Sequence, residues 1–227
     1  VYKKLMMYYI FMIILAVDSS NNDLSISLKV EEKITTKIYQ KDGKHSEIFL
    51  EVVNEILEKN SIQAANLSGI LFNKGPASFT GTRVAASSLQ AIGYSLNIPI
   101  IGISSLEVMA HMYLIDGDKS RFDCARYAYG DKYFTTSFEK IEKLIQIKDT
   151  SLADINMIDT SHNQHLIINS QLSKRLKEMS LSLRLNHTVL PRETNSKDLI
   201  SFAEMYTDLS GKFNLSDTLP DYANHEI

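Results

Sequence analysis

Nine consecutive residues, Gly75-Pro76-Ala77-Ser78-Phe79-Thr80-Gly81-Thr82-Arg83, form a loop rich in backbone and hydroxyl donors. They stand between a short apolar run, Leu67 to Phe72, and a segment of helical length, Val84 to Leu96, that carries no formal charge. Strand, Gly-rich turn and helix in that order put free amides at a helix start, where negative charge is attracted. Ser78 and Thr80 then act either as N-caps or as contacts to an anion. A plain turn closed by a helix cap uses the same residues, so spacing alone leaves both readings open.

Elsewhere the chemistry-bearing side chains do not converge. His45 has no carboxylate or thiolate at ligand spacing and makes a poor metal site, so it is expected to cap a helix or make a polar contact. His162 and His165 fall in Ser161-His162-Asn163-Gln164-His165, read as a polar loop. His111 sits in an apolar helical pattern and reads as a core-edge histidine rather than a general base. Ser78 lacks the His and Asp of a triad and the G-x-S-x-G elbow, which argues against a peptidase. Cys124 is the only cysteine, so an internal disulfide is excluded, and it reads as a small buried apolar residue.

Several elements must position these groups. A first strand runs from Met12 to Asp18. Leu24-Ser25-Ile26-Ser27-Leu28 alternates like a half-exposed strand, and a third covers Ile34 to Tyr39. On a helix from His45 to Asn60, Ile48, Phe49, Leu50, Val52, Val53, Ile56 and Leu57 fill an arc of about 200°, twice the stripe that one core requires. The helix from Arg83 to Leu96, with Ala86, Leu89 and Gln90, lacks a charged face. Two neighbouring helices with surplus apolar surface predict a packing site for another subunit, the alternative being that the second half of this chain covers both. Val53→Glu or Ala86→Arg would then break association and leave the fold intact. Further on, strands are expected at Phe122 to Tyr129, Tyr133 to Phe138, His165 to Asn169 and Thr188 to Leu190. Helices are expected over Gln171 to Leu183 and Ser196 to Leu209, the latter capped by Ser196.

At 227 residues the chain is one large domain or two small ones. The polar stretch Asp116-Gly117-Asp118-Lys119 marks a seam between residues 12–115 and 116–227. With a net charge of −3 the chain has no positive field to hold a nucleic-acid backbone, so strong direct tRNA or other RNA binding is not expected. Lys3 and Lys4 followed by Leu5 to Val17 imitate a secretory leader. The run is too short to span a bilayer and Asp18 interrupts it, so a cytoplasmic protein without a membrane anchor is expected. Residues 1–11 read as an N-terminal extension upstream of a start at Met12.

Gly75-Pro76-Ala77-Ser78-Phe79-Thr80-Gly81-Thr82-Arg83 closely resembles the G-P-G-S-F-T-G-x-R signature of the TsaB (YeaZ) family, a partner subunit in making threonylcarbamoyladenosine on transfer RNA. Ile13-Ile14-Leu15-Ala16-Val17-Asp18-Ser19-Ser20 is similar to the family's opening strand and turn. His45-Ser46-Glu47 is similar to the start of its first helix, and Ile98 to Leu106 to the strand and turn after its second. The match is dense in the first half and thin in the second. There, Ala125-Arg126-Tyr127 lacks the family's leading Asp, and Leu219-Pro220-Asp221-Tyr222 resembles a closing motif that returns to the first domain.

The resemblance implies an α/β fold of the actin-like, sugar-kinase-like superfamily, built from two ribonuclease-H-like halves with mixed sheets and flanking helices. It implies a non-catalytic subunit that pairs with a TsaD-type catalytic subunit and a TsaE-type ATPase, or with a second copy of itself when alone. His45, Phe49, Val52, Val53, Ile56, Arg83, Ala86, Leu89 and Gln90 would meet the partner. In the related catalytic subunit two histidines four apart on the first helix bind a metal; here the second position is Phe49, so no metal is expected. Asp18 occupies the place where superfamily enzymes hold a phosphate-side or metal-side carboxylate, and with Ser19, Gly75, Ser78 and Thr80 it would contact a nucleotide. Asp in a strand-end turn explains Asp18 equally well. No resident cofactor is expected beyond ATP or ADP at the subunit junction. An ATPase or phosphotransferase is the alternative; it requires a second phosphate loop, which the sequence lacks.

Overall fold

The apolar run that ends in a carboxylate, Ile13–Asp18 (β1), is the middle strand of a five-stranded sheet. A strand with helices on both faces needs such a continuous apolar run. Leu24–Val30 (β2) and Lys33–Tyr39 (β3) extend the sheet antiparallel on one side, and Gly69–Gly75 (β4) and Ile100–Ser104 (β5) extend it parallel on the other. The parallel additions arrive through crossover helices, His45–Lys59 (α1) before β4 and Phe79–Leu96 (α2) before β5. The computed structural model describes residues 12–40, 45–77, 79–116, 121–140, 144–146, 148–158, 165–179, 187–190, 192–206, 214 and 219, with the backbone alone at 45–47, 79–81, 115–116 and 144–145. Residues 1–11, Ser78, His162 and the closing motif other than Leu219 lie outside these.

One face of this sheet, through Leu15, Val17, Leu24, Ile26 and Leu28, packs against Phe49, Val53 and Ile56 of α1 and Ala85 and Leu89 of α2. The opposite face is not open to water as the alternation of β2 predicts. Ser25, Ser27 and Lys29 are buried, because a later helix, Ser196–Tyr206 (α5), covers them. The Ser196 hydroxyl lies 2.6 Å from Ser25 Oγ and 2.7 Å from Ser27 Oγ, and Lys29 Nζ lies 3.4 Å from Glu204. Ser196 therefore faces the sheet and does not cap the helix. That role falls to Asn195, whose Oδ1 accepts the Lys197 N–H at 3.0 Å while Asp198 returns a carboxylate oxygen to the Asn195 N–H at 2.9 Å. The pair forms a reciprocal capping box.

A second compact unit runs from Ser105 to Glu193. It begins with Ser105–Asp116 (α3), followed by Arg121–Tyr127 (β6), Lys132–Lys140 (β7), Leu144–Gln146 (β8) and Ser151–Asp154 (β9). His165–Ile168 (β10), Ser170–Glu178 (α4) and His187–Val189 (β11) complete it. Its sheet has the order β11-β10-β6-β7-β8, with β9 paired to β7; β7 is antiparallel to β6, and β10 and β11 are parallel to it. The first unit has the same plan, hairpin partners on one side of the opening strand and crossover partners on the other. Both units are thus ribonuclease-H-like, in the α/β class that the sequence implies. The division falls at Ser104/Ser105, and the segment from Thr194, with α5, groups with the first unit. The sequence places the seam at 116 and returns only the closing segment.

His165 opens β10, where the expected strand from His165 to Asn169 begins, and is not part of the polar loop read across Ser161 to His165: it is buried, its Nε2 lies 2.7 Å from Thr188 Oγ1, and its ring stacks on Tyr113. The apolar pattern His-Leu-Ile-Ile decides this against the polar residues before it. His111 is buried on α3. Cys124 is fully buried in β6, and burial first, then the Asp123 charge, pushes its thiol well above the usual range. No helix among the described residues is long and apolar enough to cross a membrane.

Candidate functional site: a polar node and a helix face

The parallel register pairs Val17 with Phe72, so Asp18 and Asn73 emerge side by side at the ends of β1 and β4. Asn73 Nδ2 donates to Asp18 Oδ2 at 3.2 Å, the Thr194 hydroxyl donates to the same oxygen at 3.1 Å, and the Ser20 N–H donates to Oδ1 at 2.8 Å. Asn21 Nδ2 holds the Thr194 carbonyl at 2.9 Å. Asp18, Ser19, Ser20 and Asn73 are each at most 3% exposed. Gly75 follows with φ of +94°, a value that favours glycine, and its N–H donates to Asn73 Oδ1 at 3.0 Å.

This arrangement was only partly legible. Asp18, Ser19 and Gly75 come together at the strand ends, where the Asp18 carboxylate and the Gly75 N–H are engaged within the chain and Ser19 is buried beside them. A Mg²⁺-nucleotide needs oxygen ligands free to meet the ion. The Asp18 carboxylate instead accepts from three neutral donors, and among the described residues no group of three His, Cys, Asp or Glu side chains is placed to hold a metal. Held in this way, the Asp18 carboxylate does not fit a resident Mg²⁺-nucleotide. Thr80 lies in the first turn of α2, and Ser78 lies outside the described residues. Sequence reasoning missed Asn73, Asn21 and Thr194. Asn73 lies two residues before the Gly75 to Arg83 stretch, and an Asn two residues before a Gly is a usable turn signal.

The helices require a larger correction. Phe49, Val52, Val53 and Ile56 on α1 are at most 5% exposed, and Ala86 and Leu89 on α2 at most 2%. All six belong to the unit's own core and offer no area to a partner. At 100° per residue, the buried positions of α1 from Val52 to Leu57 span about 140°, because α1 lies on the sheet and also abuts α2. Of the wide arc, only the flank remains open: Leu50 is 61% exposed. Val53→Glu and Ala86→Arg therefore strike the core and cannot report on an interface. The outer face of α1 is otherwise acidic. Glu55 there accepts from Lys37 and, at 2.7 Å, from the Tyr39 hydroxyl, and these two hydrogen bonds hold its carboxyl below the usual range. His45 begins the helix.

On α2 the helical count puts Arg83, Ser87, Gln90, Ala91, Tyr94 and Ser95 on one face, and the structure leaves all of them exposed or half-buried. Arg83 and Gln90, both anticipated, stay on this face; Tyr94, 75% exposed, was missed although it falls within about 20° of Arg83. Arg83 is the sole formal charge on a helix of 18 residues. Gly93, on the buried side, lets α2 close on β5, where an added Cβ would meet Ile100 Cδ1 at 2.3 Å.

Comparison with known proteins bears on both features. The family model described as TsaD, tRNA N6-adenosine threonylcarbamoyltransferase, matches residues 37–125, which hold α1, the Gly75 turn and α2. A tRNA threonylcarbamoyladenosine biosynthesis protein TsaB from Buchnera aphidicola of Acyrthosiphon pisum is 28% identical over 207 residues, 84% of this chain and 87% of that one. TsaB from Bacillus subtilis is 37% identical over 101 residues, 44% of each chain. The solved structure of YeaZ from Pseudomonas aeruginosa superposes with a TM-score of 0.76 over 93% of this chain and 99% of that one, at 18% identity, and so shares the fold. The loop signature, the two-unit architecture and relatives that align along most of the chain agree: the chain is similar to TsaB proteins along most of its length and shares the YeaZ fold.

Proposed function

We propose that this protein is a non-catalytic partner subunit in the biosynthesis of threonylcarbamoyladenosine on tRNA, and that it works by seating a TsaD-type catalytic subunit. The observation that carries this reading is the exposed α2 face, nearly devoid of charge, with Tyr94 toward its C-terminal end, together with exposed Leu50 on α1. A helix normally turns its charged residues outward; this one turns out Ser, Ala, Gln and Tyr, a composition suited to close helix packing and depleted of the charges that interface cores avoid. The TsaB names of its relatives support the pathway, and the TsaD-type match over the same helices supports a pairwise bundle of like elements. In the absence of the catalytic subunit a second copy of this chain takes its place, and a TsaE-type ATPase joins the assembled pair. ATP or ADP belongs at the junction with the partner and not on Asp18, whose oxygens are engaged internally.

Co-expression of this chain with a TsaD-type subunit tests the proposal. The two should co-purify, Tyr94→Glu should abolish co-purification with an unchanged circular dichroism spectrum, and isothermal titration of this chain alone with Mg²⁺-ATP should show no tight binding. Failure of the wild-type pair to associate, or ATP turnover by the isolated chain, would overturn it.

A further inference from the structure

The partner-facing helix starts only four residues after Gly75, so whatever fixes the exit from β4 also aims α2. Three features act there. The β4–β5 register slips between Asn73 and Gly75, Gly75 takes its left-handed φ, and Asn73 spans the slip with both ends of its side-chain amide. Its Nδ2 is held by Asp18 Oδ2 at 3.2 Å and its Oδ1 receives the Gly75 N–H at 3.0 Å. Asp18 is in turn fixed by Ser20 and Thr194. An amide offers, from two separate atoms, a donor to a carboxylate on one side and an acceptor to a backbone N–H on the other.

We propose that Asn73 is a positioning residue: clamped by Asp18, it sets the turn through Gly75 and thereby the placement of the α2 face that receives the partner. The inference rests on the reading given under Proposed function, but its mechanical half stands apart from it. Asn73 is 1% exposed and touches no partner itself; its effect passes through Gly75 and the first turn of α2. The Asp18 carboxylate, which in a nucleotide-binding relative of this fold would serve a ligand, here serves the chain's own geometry.

The test exploits the pairing of donor and acceptor. Asn73→Asp keeps the acceptor for Gly75 but sets oxygen against oxygen at Asp18. The exchange variant Asp18→Asn/Asn73→Asp restores one donor and one acceptor between the same two positions, and the Thr194 hydroxyl then accepts in place of donating. Two quantities are read on the full-length chain: amide hydrogen exchange in the peptide spanning Phe79–Arg83, and the Kd for a TsaD-type subunit. Asn73→Asp should speed exchange in that peptide at least tenfold and weaken the Kd at least tenfold; the exchange variant should bring both within about threefold of wild type. Unchanged exchange in Asn73→Asp overturns the proposal whatever the partner does. A folded exchange variant that still binds tenfold more weakly overturns it as well. Where Asn73→Asp does not fold, the exchange variant alone decides, by recovering or failing to recover both values. Absence of wild-type binding sinks the functional reading instead, and leaves the exchange measurement to judge Asn73.

Discussion

Phe49 and Leu50 are chain neighbours of similar apolarity, yet the helical step of 100° places one in the core at 2% exposure and the other in water at 61%. Phe49→Ala removes a ring packed among β-sheet residues and should cost about 3–5 kcal/mol, about a fifth or more of the ~5–15 kcal/mol that holds a domain folded. Leu50→Ala should stay within about 0.5 kcal/mol. Urea unfolding followed by far-UV circular dichroism reads the difference as a shift of the midpoint. Association should rank the sites in the opposite order. Tyr94→Ala should leave stability nearly unchanged and weaken the TsaD-type complex by about 2 kcal/mol, close to thirtyfold in Kd, as expected for an exposed aromatic anchor buried by a partner. Equal midpoint shifts for Phe49→Ala and Leu50→Ala would refute the register of α1. A Tyr94→Ala chain that binds like wild type would refute the assignment of the α2 face.

Four further outcomes follow from the geometry. Ser196→Ala removes a hydroxyl in contact with Ser25 and Ser27 behind the sheet and should lower stability by about 1–3 kcal/mol in the same urea assay. Glu204→Ala leaves the buried Lys29 ammonium without its carboxylate, Glu31 carbonyl contact apart, and should cost about 1–2 kcal/mol, with less effect when Lys29→Met is added. Cys124 should resist alkylation in the native protein at pH 8 and react fully in denaturant, since burial raises its thiol; rapid native labelling would contradict its place in β6. The Glu55 carboxyl should titrate below an ordinary glutamate in a side-chain NMR experiment. Because its folded pKa is lowered, the linked stabilisation is complete above the unfolded value and fades as pH falls through the folded one; Glu55→Gln should remove that dependence.

Strand and helix periodicity in the first unit was legible because each element there is long and its apolar residues repeat at one spacing. Hairpin, crossover and the Gly75 turn followed in order from Ile13 to Ser104. The reading of β2 failed for a reason no local pattern contains: the face carrying Ser25, Ser27 and Lys29 is closed by α5, some 170 residues later in the chain. Small hydroxyls on a strand signal water or another polar surface with equal force, and only tertiary structure chooses. The same limit governs α1. An arc of about 200° shows that more than a single flat contact is present, but it does not say whether a sheet, a neighbouring helix or another protein supplies the second contact. Here α2 supplies it. Ser196 was misplaced through its neighbour, the better cap Asn195, whereas His165 fitted two patterns at once, the polar residues before it and the strand it opens.

The correction to α1 narrows what any partner can hold. A stable specific interface removes about 800 Å² from each side. An 18-residue helix is about 27 Å long and presents a strip of about 10 Å, so the outer face of α2 by itself falls well short. A partner docked on α2 as proposed needs further area, and α1, which packs against α2 on the same side of the sheet, offers the exposed Leu50. A contact built from two adjacent helix faces on each protein is a four-helix arrangement, and it forces the seam to run along the groove between α1 and α2. Leu50 and Tyr94 are then coupled through one seam and should show non-additive losses: Leu50→Ala/Tyr94→Ala should weaken binding by less than the two single changes combined, once either has opened the seam to water. Strict additivity would mean two separate contacts, and with them a partner that does not dock as paired helices.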